Sequence, residues 1–282
     1  DVIITELFPF GRRILRNEFL TLLEAAQAMP HPPLICTSIR DILAPPSKPK
    51  KADFAEKTIQ KYYDAVLVHS NQHLMPLELS WPVSDTLSQY LRYTGFVAPP
   101  PATRLPDGLG KGEVIVSAGG GDVGHRLFDC ALQAARLAPN IRWRLLIGGQ
   151  DGQALCANIA AHAPENLIAG PARPEFRAML YGAKASVSFC GYNTALDILQ
   201  AGCPAIFVPF DAGSEVEQSI RASALSARPG ITQIATQVLT PQTLLSGLEQ
   251  VTQETSPEAE KPEFDGAART VAIVEDLWRQ RQ

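Results

Sequence analysis

The stretch ASVSFCGYNTALDILQAGCPAIFVPF, residues 185–210, decides how the rest of the chain is read. Ala185–Phe189 reads as a short buried strand, Gly191 turns the chain, Asn193–Gly202 has apolar residues at helical spacing, and Ala205–Val208 is a strand again. Strand, glycine turn, helix and strand in that succession form one unit of a parallel sheet. The pattern continues in both directions. C-terminally, Glu215–Ala227 reads as a helix, Gln233–Ala235 as a short strand, Pro241–Gln253 as a helix and Gly266–Arg281 as a last helix, set off by the polar segment Glu254–Glu263. N-terminally come the helix Glu175–Gly182, the strand Asn166–Ala169, the helix Asp151–His162, the strand Trp143–Ile147, the helix Asp122–Leu137 and the strand Glu113–Ser117.

Ahead of Glu113 the series breaks. Ala98-Pro99-Pro100-Pro101 is too stiff for a helix or a central strand, and with Leu105–Lys111 it reads as a linker. Before it stands a second series: strands at Val2–Leu7, Leu34–Ser38, Ala65–His69 and Tyr90–Val97, a helix over Arg12–Gln27, and a Pro/Lys-rich loop at Ala44–Lys51. The expected organisation is a first Rossmann-like domain over 1–98, a linker over 99–111, a second Rossmann-like domain over 112–262, and a C-terminal helix over 263–282 that packs back on the first domain. The chain opens without Met on the apolar Val2-Ile3-Ile4, so this reading expects the first domain to be N-terminally truncated.

A length of 282 residues with 45 % hydrophobic content suits two α/β domains with full cores. The net charge of −4 gives no basic footprint for nucleic acid. No apolar run approaches the ~18–20 residues of a membrane span. Five widely spaced cysteines without a CxxC pair read as buried thiols in a reducing cytoplasm, and no metal ligation is expected.

Three loops carry the candidate chemistry. Ser117-Ala118-Gly119-Gly120-Gly121-Asp122-Val123-Gly124 follows a strand and opens a helix, where glycines admit close backbone approach and free N–H groups meet an anion. Gly119, Gly121 and Gly124 match G-x-G-x-x-G, but the acid that a dinucleotide ribose needs ~20 positions on is missing, since Arg142, Trp143 and Arg144 stand there. In the second loop Gly191, Tyr192, Asn193 and Thr194 would face a phosphate, and Asp197, one turn into the helix, would accept both hydroxyls of a ribose. The third joins Val208-Pro209-Phe210-Asp211 to a polar helix in which Glu217, Gln218 and Arg221 can present polar groups to one cleft. Each has a plainer reading as a tight turn, a dipole-complementing acid or a solvated helix face. All three lie at the carboxyl ends of parallel strands, where ligands bind in open α/β sheets.

Cys190–Asp197, the Pro204–Phe210 strand and the Glu217–Ala222 helix resemble the C-terminal domain of glycosyltransferase family 28. Leu7-Phe8-Pro9-Phe10-Gly11-Arg12-Arg13, Ser38-Ile39-Arg40-Asp41, Tyr93-Thr94-Gly95-Phe96-Val97 and Ser117–Gly121 resemble a related bacterial group of glycosyltransferases. The resemblance implies a GT-B fold of two Rossmann-like domains, the second holding the donor nucleotide and the first the acceptor. It implies ribose binding at Asp197, where the related peptidoglycan enzyme has Glu, and sugar contacts at Glu217 and Gln218, where that enzyme has two glutamines. The base would lie against Pro171–Phe176 through backbone groups of Ala172 or Arg173. The family's histidine-bearing glycine loop is absent, so the catalytic base is expected upstream of Asp1, with His69 and Asp41 as the weaker candidates within the chain. His125 is the histidine better placed for a phosphate, and Arg12 and Arg40 are acceptor-side candidates.

The functional expectation is an inverting, cofactor- and metal-independent transfer of a sugar, N-acetylglucosamine foremost, from UDP to an acceptor that is lipid-linked or a glycan. Gly119–Gly121, Gly191–Thr194 and Arg221 would stabilise the leaving diphosphate. The expected location is cytoplasmic, with a peripheral contact at the inner face of the membrane. The rival readings are a UDP-sugar epimerase or hydrolase on the same fold, and a sugar-nucleotide binder without turnover. An NAD-dependent oxidoreductase is disfavoured by the missing acid near residue 144.

Overall fold

The computed structural model describes residues 1–105, 108–118, 122–149, 152–210, 216–254 and 262–281. The chain divides into two compact units, Asp1–Pro99 with Pro262–Gln282, and Pro100–Lys261.

In the first unit β1 (Val2–Glu6), α1 (Arg16–Gln27), β2 (Leu34–Ile39), α2 (Pro49–Tyr62), β3 (Ala65–Val68), α3 (Asp85–Ser88) and β4 (Leu91–Tyr93) follow one another. The four strands pair in parallel in the order β1-β2-β3-β4. Alternate strand residues face opposite sides, so Ile35, Ile39, Val66 and Val68 join Leu23, Ala26, Ala55 and Ile59 of α1 and α2 in one core. The sequence reading left Lys48–Tyr62 without a helix and carried a loop through to Lys51. The structure starts α2 at Pro49, because Pro at the first helical position sacrifices no hydrogen bond. Ala55, Thr58, Ile59 and Tyr62 then fall on one buried stripe.

The second unit runs β5 (Glu113–Ala118), α4 (Asp122–Leu137), β6 (Arg142–Ile147), α5 (Gly152–His162), β7 (Leu167–Pro171), α6 (Phe176–Met179), β8 (Ala185–Ser188), α7 (Tyr192–Ala201), β9 (Ala205–Phe207), α8 (Glu217–Leu225), β10 (Ile231–Gln233) and α9 (Pro241–Gln253). Its six strands pair in parallel in the order β10-β9-β8-β5-β6-β7. On one face Val114, Val116, Leu145, Val187 and Ile206 pack with Leu127, Phe128 and Ala131 of α4 and Leu244, Leu248 and Val251 of α9. Strands buried on both faces need near-continuous apolar sequence, as Val114–Val116 of β5 and Leu145–Ile147 of β6 have, whereas β8 buries Ser186 and Ser188 beside Ala185 and Val187. The expected linker over 99–111 is absorbed here: Leu105 and Leu109 pack on Ile115, Leu146 and Met179, and Gly112 donates to the Gly182 carbonyl.

The chain returns to the first unit through Pro262 and α10 (Gly266–Arg281). Ile273, Val274, Leu277 and Trp278 cover Leu34, Cys36, Ala65 and Leu67, the sheet face left open by α1 and α2. Phe96 donates to the Glu263 carbonyl and Gly266 donates back to Phe96. A Cβ on Gly266 would lie 2.6 Å from the Gly95 carbonyl oxygen, so the crossing tolerates no side chain there.

All five cysteines are free. Burial pushes Cys36 and Cys203 up to about 12 and Cys130 to about 11. These thiols stay protonated and unreactive at pH 8. A thiol reagent at pH 8 is expected to label at most the half-buried Cys156 in the folded chain and all five in denaturant. Rapid labelling of Cys203 without denaturant would contradict the packing.

Candidate functional site

The strand order reverses between β5 and β8, which start the two halves of the sheet on either side of the switch point, and a crevice opens beyond their carboxyl ends. A cavity of about 400 Å³ lies here, lined by Ser117, Ala118, Leu146, Ala172, Arg173, Phe176, Phe189, Gly191, Thr194 and Gln218. Six of the donor-site candidates, Ser117, Ala172, Arg173, Gly191, Thr194 and Gln218, therefore meet at one place. Phe189 supplies an aromatic wall that the sequence reading treated only as the end of a strand. Gly119, Gly120, Gly121 and Asp211 lie outside the described residues.

The N-terminus of α7 is the site's electrostatic centre. Gly191 is its N-cap and has no side chain to bond the first-turn amides. The first intrahelical bond runs from Ala195 to the Gly191 carbonyl, so the N–H groups of Tyr192, Asn193 and Thr194 precede the ladder. Amides in that position, with the helix dipole behind them, suit an anion, and Gly191 and Thr194 line the cavity.

Helix α8 fixes that loop. Gln218 Oε1 accepts the N–H groups of both Cys190 and Phe210 at 3.1 Å, and Arg221 Nη1 donates to the Cys190 carbonyl at 2.8 Å. Two donors on Oε1 set the amide's orientation and leave the Gln218 NH2 as its donor end. Arg221 is 4 % exposed and does not line the cavity. The two residues expected to touch ligand thus spend much of their bonding on holding the β8–α7 loop. Glu217 is half-buried at the start of α8 and lies outside the lining, as do Tyr192 and Asn193.

Along β7–α6, the Ala172 N–H is already given to the Ile147 carbonyl. Of the two residues expected to read a base by their backbone, Ala172 therefore keeps only its carbonyl. The Arg173 N–H makes no hydrogen bond among the described residues, and its side chain pairs with Glu175 on the surface.

Asp197 sits one turn into α7, its side chain 16 % exposed, with Oδ1 accepting from Arg177 Nε at 2.8 Å. Burial raises its pKa and Arg177 opposes the rise. Arg177 went unnoticed in the sequence because nothing in a four-residue helix announces which acid its side chain will reach.

The remaining candidates belong to the first unit, except His125. His125 is half-buried in α4, and its buried Nε2 has no hydrogen-bond partner among the described residues. Arg12 is exposed and paired with Glu6, and Arg40 is exposed just past β2. Asp41 is fully buried, with Oδ1 accepting the Ile42 N–H. His69, just past β3, has Nδ1 2.9 Å from the Thr94 hydroxyl, which itself donates to the Gly95 carbonyl at 2.8 Å. With the Thr94 hydroxyl donating to that carbonyl, the compatible tautomer of His69 carries its proton on Nδ1. Burial lowers the His69 pKa and favours the neutral ring. Among the described residues no group of three or more His, Cys, Asp or Glu is placed to hold a metal ion, and no helix is long and apolar enough to cross a membrane.

A family profile described as the glycosyltransferase family 28 C-terminal domain matches residues 118–275, more than half of the chain. The chain belongs to glycosyltransferase family 28. It is accordingly a glycosyltransferase, and every residue lining the cavity at the β5/β8 switch point except Ser117 falls within the matched region. Its fold is shared with several solved structures. The calicheamicin glycosyltransferase CalG4 is 16 % identical with a TM-score of 0.60, over 99 % of this chain and 76 % of that one. The glycotransferase of kitacinnamycin is 13 % identical at 0.55, over 99 % and 72 %. The S. aureus MnaA–UDP structure is 9 % identical at 0.57, over 99 % and 74 %. No curated protein matches the chain in sequence.

Proposed function

We propose that the second unit of this family 28 enzyme binds a UDP-sugar, with N-acetylglucosamine as the sugar, and that the enzyme transfers it with inversion to a lipid-linked or glycan hydroxyl. The observation that carries the reading is the open N-terminus of α7, whose Gly191 and Thr194 front a cavity of about 400 Å³ at the switch point. The diphosphate belongs on the Tyr192–Thr194 amides, the base on the Arg173 N–H and the Ala172 carbonyl, and the ribose on Asp197, one turn further along α7. The glycine loop Gly119–Gly121 is assigned the second phosphate contact from its sequence alone. The NH2 of Gln218 meets an acceptor atom on the sugar or phosphate, Glu217 is its neighbour on the sugar side, and Arg221 contributes positive charge from behind the loop. The free thiols suit a reducing cytoplasm, and a lipid-linked acceptor would bring the enzyme to the inner face of the membrane.

Inversion needs a group that takes the acceptor proton. Of the two candidates in the first unit, His69 has the construction of a base: a ring anchored through Nδ1, kept neutral by burial, with Nε2 as proton acceptor. Asp41 is sealed in the interior. Arg12 and Arg40 are the acceptor-side cations. Unchanged turnover in His69→Gln would remove His69 from this role.

Calorimetric titration with UDP and, separately, NAD tests the donor class; UDP is expected to bind and NAD not. Product analysis of UDP-N-acetylglucosamine without acceptor separates transfer from epimerisation or hydrolysis. Asp197→Ala is expected to weaken UDP by about 1–3 kcal/mol, the usual worth of a hydrogen bond to a charged group. Native affinity in the folded variant would sink the ribose assignment. The pH profile follows from the same residue. Only the ionised carboxylate is acceptor on both oxygens, and its pKa lies above the ordinary value because burial outweighs the help of Arg177. UDP affinity should therefore fall on acidification at a higher pH than an exposed carboxylate would set, and Asp197→Asn should lose that part of the pH response.

A further inference from the structure

The Arg177 guanidinium reaches acceptors in two directions. Nε donates to Asp197 Oδ1 at 2.8 Å, and Nη2 donates to Gln200 Oε1 at 2.8 Å and to the Pro100 carbonyl at 2.9 Å. Asp197 and Gln200 are three apart on α7 and so share a face. Both acceptors and the carbonyl of the unit's first residue are gathered around a single planar fork, which fixes direction as well as distance. Asp197 Oδ2 accepts no hydrogen bond among the described residues.

We propose that Arg177 is a positioning residue that holds Asp197 by one carboxylate oxygen and thereby makes the donor site read a single ribose hydroxyl. This rests on the assignment of Asp197 to the ribose. A carboxylate held by nothing else can take both vicinal hydroxyls, one on each oxygen. Here Oδ1 is turned to the guanidinium, and Oδ2 is the oxygen left for the nucleotide. The arrangement also explains how an aspartate serves where the side chain is a methylene shorter than glutamate: it is held at a set angle rather than reaching. Burial alone would push Asp197 toward its neutral form, and Arg177 is the charged neighbour that counters this.

The test is calorimetric titration of the full chain with UDP, 2′-deoxy-UDP and 3′-deoxy-UDP, for the native protein, Arg177→Met and Arg177→Lys. The native protein is expected to lose about tenfold or more with one deoxynucleotide and under about threefold with the other, since only one hydroxyl has a charged partner. Arg177→Met should weaken UDP by about tenfold and level the two deoxynucleotides, because the freed carboxylate no longer favours one hydroxyl. Arg177→Lys should recover affinity only in part, since an ammonium is a point donor without the fork. Equal losses for both deoxynucleotides in the native protein would overturn the proposal, as would a 2′/3′ difference that survives in a folded Arg177→Met. Failure of the native protein to bind UDP at all, or native UDP affinity in Asp197→Ala, would instead bring down the nucleotide reading, and the proposal with it.

Discussion

Gly191→Val is expected to melt with the native chain and yet to lose UDP affinity by on the order of 100-fold or more. The two halves of that expectation come from different observations. Among the described residues, a Cβ built on Gly191 meets no heavy atom within 4 Å, and its backbone, at φ −65° and ψ 151°, lies where any residue is comfortable. The fold has no reason to object. The open space is the cavity itself, so a branched side chain stands where the phosphate would approach the first-turn amides of α7. Removing a charged acceptor from two of those donors, at about 1.5–3 kcal/mol each, gives the factor stated. Scanning calorimetry and a UDP titration on the same preparation check it. Normal UDP binding in a normally melting variant would move the phosphate away from α7 altogether.

Glu113→Ala should do the reverse, lowering stability while leaving the site of the folded protein alone. Glu113 opens β5, at the far end of the strand from the Ser117–Ala118 edge of the cavity. Its two oxygens take Arg144 Nε at 2.6 Å and Nη2 at 2.9 Å, with the two side chains 11 % and 13 % exposed. The pair is diagonal across β5 and β6, since Ile115 is the register partner of Arg144. Deleting the acid strands a guanidinium with little water around it, a loss of about 3 kcal/mol or more for a buried pair. For a domain of this size that is a melting temperature lower by about 6–12 °C. The double variant Glu113→Ala/Arg144→Ala should be less destabilised than the sum of the single variants, because no charge is left unpaired. An unchanged melting point in Glu113→Ala would mean that the pair is solvated in solution.

Much of the site could be read from the linear sequence because its parts are local. A strand running into Phe189-Cys190-Gly191 and a helix that begins at Tyr192 put the first turn of a helix just past a strand end whatever else the chain does. Ser117 in β5 and Ala172 and Arg173 after β7 are likewise placed by the carboxyl ends of strands. The readings that shifted are those in which a side chain had a choice of partner. Glu217, Gln218 and Arg221 were legible as a polar group entering a helix, but only packing shows Gln218 and Arg221 holding the backbone N–H and carbonyl of Cys190. Helix α2 was hidden by its own first turn, where Pro49 and two lysines look like loop. Its buried stripe has meaning only once β2 and β3 lie beneath it.

The sequence by itself determined the class of fold, the parallel βα order and the three loops where chemistry could sit, since these follow from apolar periodicity and from glycine, which act within a few residues. It determined the family as well, through motifs that are contiguous in the chain. The tertiary structure alone decided which of those loops share a cavity, that Leu105 and Leu109 pack against Ile115, Leu146 and Met179, that Asp41 is sealed while His69 is anchored by Thr94, and that Arg177 holds Asp197. The His69–Thr94 and Arg177–Asp197 pairs join groups 25 and 20 residues apart. A long side chain can satisfy its hydrogen bonds in many directions, and only the packed neighbours select one.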